Sequence, residues 1–187
     1  MELKGWHETE DVDMSSTVTP RRTRSLGALA TLAVALCATA PAQAATSTSA
    51  ACVTHFTATF TPGLSPTPGP GTVSTNGETG SFSCVGKIGG DRVTGPGTIG
   101  VETSYTGECL SHRGTGTVRI IIPTTGGTKD MTGTLTVRRT GLVVRPAVQF
   151  DGMRYRGIGV VLPAEGDCFV TPLRRGQLLL IGVLRGA

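Results

Sequence analysis

Residues 142–163 read LVVRPAVQFDGMRYRGIGVVLP. Two apolar, β-branched runs, 142–150 and 153–163, flank Asp151-Gly152. A two-residue Asp-Gly link between such runs marks a type I′ hairpin, whose twist matches that of the strands it joins. Outward from this hairpin the period-two pattern recurs. VTHFTATF (53–60) sets Val53, His55, Thr57 and Thr59 against Thr54, Phe56, Ala58 and Phe60. Further strands are expected at 78–86, 92–109, 114–123, 131–141 and 177–184, punctuated by Asn76-Gly77, Gly89-Gly90-Asp91 and Gly126-Gly127. The last of these is apolar on both faces, so it is expected to be buried or paired on both sides.

About eight strands, and no helical period after the first 44 residues, predict an all-β, antiparallel protein. Consecutive hairpin links favour an up-and-down β-barrel, with glycines inside strands as its bends. A two-sheet β-sandwich is the alternative. The stretch TPGLSPTPGPG (61–71), with four prolines, is expected to be an extended loop.

Residues 21–45 carry Arg21, Arg22 and Arg24, an apolar run from Leu26 to Ala38, and the small-residue sequence Ala42-Gln43-Ala44. This is the pattern of a secretory signal peptide cleaved after residue 44, and its apolar run is too short for a membrane span. The acidic segment 1–13 ahead of it is unusual there and is set aside with it. Residues 45–51 are expected to be a disordered leader, and 52–187 a single β domain, secreted and without a membrane span.

Cys52, Cys84, Cys109 and Cys168 remain after the signal peptide. An even count in an exported chain reads as two disulfides, and there is no C-x-x-C to hold a metal. In an up-and-down order Cys52 and Cys84 fall at one end of the strands and Cys109 and Cys168 at the other. Parity therefore pairs Cys52 with Cys84 and Cys109 with Cys168. Cys109 and His112 resemble half of a metal or nucleophile motif, but a disulfide leaves no thiol, and His112 is expected in a turn facing water.

The chain after residue 44 has thirteen Lys and Arg against eight Asp and Glu. That excess favours anionic partners such as a cell-wall polymer. Basic runs never exceed two residues and aromatics do not interleave with them, which argues against nucleic acid. There is no G-x-S-x-G, H-E-x-x-H or phosphate-binding glycine loop, and no pair of carboxylates is placed for glycoside chemistry. No catalytic residue, metal or cofactor is expected. Glu165 and Asp167, with His112, are the groups whose convergence would mark a hydrolase. A closed barrel of this size holds either a packed core or one small ligand. A small apolar ligand would be lined by Phe56, Phe60, Phe82, Tyr105 and Phe150. The alternative is an extracellular inhibitor acting through loop 61–71.

The stretches SYTGECLSHRGTGTVRIIIPTTGGTKDMTGTLTVRR (104–139) and PAEGDCFVTPLRRGQLLLIGVL (163–184) resemble a group of small hypothetical secreted proteins of actinobacteria. The resemblance rests on Y-T-G-x-C, T-G-T-L and G-D-C-x-x-T-P, and implies export and a β fold without an established activity. The chain is also superficially similar to actinobacterial chromoprotein apoproteins, two-disulfide sandwiches that carry a small molecule, but its cysteine spacing departs from theirs.

Overall fold

A computed structural model describes residues 47–75, 77 and 80–186. The segment expected to be a signal peptide and the acidic stretch ahead of it lie outside the described residues, as do Ala45, Thr46, Asn76 and the first two residues of the strand expected at 78–86. Ten strands follow in order: β1 Ser49–Leu64, β2 Gly69–Ser74, β3 Gly80–Ile88, β4 Asp91–Arg92, β5 Gly97–Gly107, β6 Ser111–Thr124, β7 Gly127–Thr140, β8 Val143–Phe150, β9 Met153–Glu165 and β10 Leu173–Gly186. Every pairing is antiparallel, and β10 pairs with β1, so the sheet closes in a ring. Both disulfides are formed as parity required, Cys52–Cys84 and Cys109–Cys168.

The ten strands fill eight positions around the ring. β2 and β3 share one position, between β1 and β5, and β4 pairs only with β3. The register shows the splice. Thr59 faces Ser74 and His55 faces Ser81, so four steps along β1 match seven along its neighbours. The same excess of three appears against β5, where Ser74 faces Glu102 and Gly80 faces Ile99. The chain leaves the ladder around Thr75 and Gly77 and rejoins it in the same direction. Gly77, a turn residue as expected, therefore sits in an insertion between two strands that run in the same direction.

Several expectations are corrected here. Ser49, Ala50 and Ala51 are not leader but the start of β1, tied to β3 and β10 on its two edges. The proline-rich stretch 61–71 is largely strand, with Thr61–Leu64 ending β1 and Gly69–Gly71 opening β2. Two strand glycines seat rings instead of making bends. A Cβ at Gly71 would lie 2.5 Å from the Tyr105 hydroxyl, and one at Gly182 would lie 2.5 Å from that of Tyr155. Without side chains at these positions, each tyrosine lies flat against the wall.

Inward positions form one core that includes Phe56, Phe60, Phe82, Ile120, Leu180 and Leu184. Each such side chain contributes about 1.5–3 kcal/mol by leaving water. Outward positions on β5–β7 are mostly Thr, Ser and charged residues, as at Glu102, Thr117 and Asp130.

Candidate functional site

The ring encloses an apolar cavity of about 60 Å³, lined from all sides by residues such as Phe56, Phe60, Val118, Leu135, Leu180 and His112. Drug-sized ligands need about 300–1,000 Å³. The cavity is too small for a pigment-like cargo. Of the five aromatics expected to line a ligand, Phe56 and Phe60 do so. Phe82 lies elsewhere in the core, edge-on to Tyr155 at 6.3 Å. Tyr105 packs on Phe60 and His112 and donates its hydroxyl proton to the Pro62 carbonyl at 2.6 Å. Phe150 is buried without reaching the cavity.

His112 does not face water. It is the second residue of β6 and only 6 % exposed, its ring against Phe60 and Tyr105. Its partner across the ladder is Arg139 of β7, itself 4 % exposed. Sequence reading missed both. Parity was the available signal: His112 is in phase with inward Val118 and Ile120, and Arg139 with inward Leu135.

Burial, and next the Arg139 charge, push the His112 imidazole from 6.5 down to about 4, against a hydrogen bond to the Glu108 backbone. Arg139 from β7, Tyr105 from β5 and Phe60 from β1 are the side chains that face it. The unfolded chain, titrating near 6.5, takes up the proton first. Stability is therefore full above about pH 6.5 and falls as pH drops toward about 4, by up to about 3 kcal/mol. Urea midpoints at neutral and acidic pH should show a smaller acid loss in His112→Phe than in the wild type.

Glu165 and Asp167 are exposed, whereas His112 is inside, so the three do not converge. Asp167 is a turn residue. Its Oδ1 accepts the backbone N–H groups of Phe169, Val170 and Thr171 at 2.8–3.0 Å, which holds its carboxyl below the usual range. Among the described residues no three His, Cys, Asp or Glu side chains group as metal ligands would.

The outside of the ring carries a second feature. Register aligns outward residues of β3, β1, β10 and β9 into rows. One row holds Lys87, Ser49, Arg185 and Arg154. The next holds Val85, Ala51, Val183 and Arg156, and the third Ser83, Val53, Ile181 and Ile158. His55, Leu179 and Val160 follow. Val53, Ile181 and Leu179 are about half exposed and Val85 is 82 % exposed. These rows contain no carboxylate, so an apolar field is bounded at one end by a cationic row. At strand and residue spacings of about 4.8 Å and 3.4 Å, the apolar field covers on the order of 300 Å².

Compared with known proteins, the chain matches no family model, no curated protein and no solved structure.

Proposed function

We propose that the protein is an exported, non-catalytic β protein that docks on an anionic lipid surface through its β3–β1–β10–β9 flank. The observation that carries this reading is the apolar field edged by Lys87, Arg185 and Arg154 with no acid among its rows. An apolar field inserts among acyl chains while cations at its edge meet anionic headgroups. A second copy fits less well. The field falls short of the roughly 800 Å² per partner that a stable dimer needs. Face-to-face packing would also bring arginine rows together without an acid to answer them. Export is supported by the signal-peptide pattern and by two disulfides, which persist in oxidising compartments.

Flotation with phosphatidylglycerol vesicles tests the proposal. Wild-type protein should float with them and only weakly with phosphatidylcholine. Ile181→Glu should weaken binding at least about tenfold, since a charge is costly in an apolar contact. Thr134→Glu, on the opposite side of the ring, should bind like the wild type. Equal binding by Ile181→Glu, no binding at all, or a dimer lost on that substitution would each overturn it.

A second reading follows from loop 166–172. Phe169 and Val170 are 66 % and 86 % exposed there, on a turn fixed by Asp167 and by Cys168. An inhibitor-like contact would use this loop, not 61–71. Under the lipid reading, Phe169→Ser leaves vesicle binding unchanged.

A further inference from the structure

We infer that the Arg139–His112 end of the ring interior binds the carboxylate of a small aliphatic acid, its hydrocarbon tail lying in the apolar cavity. Arg139 is almost fully buried, and its Nε donates to the Gly141 carbonyl at 2.7 Å. Its Nη1 is buried with no hydrogen-bond partner. Among the described residues Arg139 makes no ion pair. A buried guanidinium left with an unpaired donor and no counter-charge is costly, and an apolar residue of its size would cost less. The missing partner is an acceptor bearing negative charge, and a carboxylate matches the planar fork best.

The second orphan lies across the ladder. His112 Nδ1 is also buried without a partner, but on a neutral imidazole whose one N–H serves the Glu108 backbone it is a lone pair, so the carboxylate is held by Arg139 alone. The same imidazole lines the cavity, and Arg139, which does not line it, is its neighbour across the ladder, about one strand spacing away. An inorganic anion would satisfy Arg139 and leave the cavity unused. An alcohol would fill the cavity and leave the guanidinium uncompensated. A short acid does both. A cavity of about 60 Å³ holds about two water-sized groups, which sets the tail at about two or three carbons.

The test is a thermal and NMR titration of the disulfide-intact protein with sodium butyrate. Sodium chloride, sodium phosphate and butanol serve as separate arms, and sodium octanoate as the long-chain arm. Butyrate should raise the unfolding midpoint by at least about 3 °C at saturation and shift the His112 ring resonances. The other arms should do neither. Arg139→Met should fold and lose the response. If that variant does not fold, the wild-type His112 resonances still decide. No butyrate shift, an equal shift with phosphate or chloride, an equal shift with octanoate, or a response kept in Arg139→Met would overturn the inference. Vesicle binding involves the outer flank and is unaffected by either result, so the two proposals fail separately.

Discussion

Phe82→Ala should lower the unfolding free energy by about 4 kcal/mol, the largest loss expected from any single core truncation in this chain. Phe82 is 1 % exposed and stands where the ring is spliced. It pairs with Thr54 of β1 on one edge of β3 and with Gly97 of β5 on the other. Its ring meets Tyr155 from β9 edge-on, so it ties β3 to a strand three positions round the ring. Alanine removes the ring and leaves a cavity whose walls are held by the closed ladder and cannot collapse far. Urea unfolding under non-reducing conditions measures the effect. A loss below about 1 kcal/mol would mean that the splice is not held by this side chain.

Removing Cys109–Cys168 by a double alanine substitution should cost about 4 kcal/mol by chain entropy, for a sequence separation of 59. Cys52–Cys84, at a separation of 32, should cost slightly less. The two losses should differ more in where they act. Cys52 and Cys84 face each other in the β1–β3 ladder, which persists without the bond. Cys109 and Cys168 lie outside strands, and their bond joins loop 108–110 to loop 166–172 beside His112. Amide exchange should therefore quicken at 166–172 and at His112 in the Cys109/Cys168 variant, with the β7–β8 hairpin unchanged. Equal quickening in both double variants would show that the two bonds act only through the unfolded chain.

The particular misses show what sequence patterns carry. Asn76-Gly77 is expected to mark a turn, and turn residues report departure from a ladder. They do not report the direction in which the chain returns. That direction was set by two free edges, β1 and β5, which β3 could join only by continuing where β2 left off. His112 was read as exposed because Gly114 and Gly116 separate it from Val118, and glycine carries no side chain to mark a face. Arg138-Arg139 is, in the sequence, only one of the two-residue basic runs. Strand alternation sends one of any such pair inward, and here it is Arg139.

By itself the sequence determined the all-β class, the antiparallel order around Asp151-Gly152 and the pairing of the four cysteines. Each follows from local rules: a period of two, a two-residue turn and the parity of strand ends; the turn itself is not the expected type I′, since only Gly152, and not Asp151, has a positive φ. Only the tertiary structure decided which apolar residues stay in contact with water. Leu178, Leu180 and Leu184 of β10 fill the ring, while Leu179, Ile181 and Val183, equally apolar in sequence, lie on its outer face. A strand has two faces, and alternation sorts its residues between them. Whether the second face is covered depends on another layer packing there, and among the described residues none does.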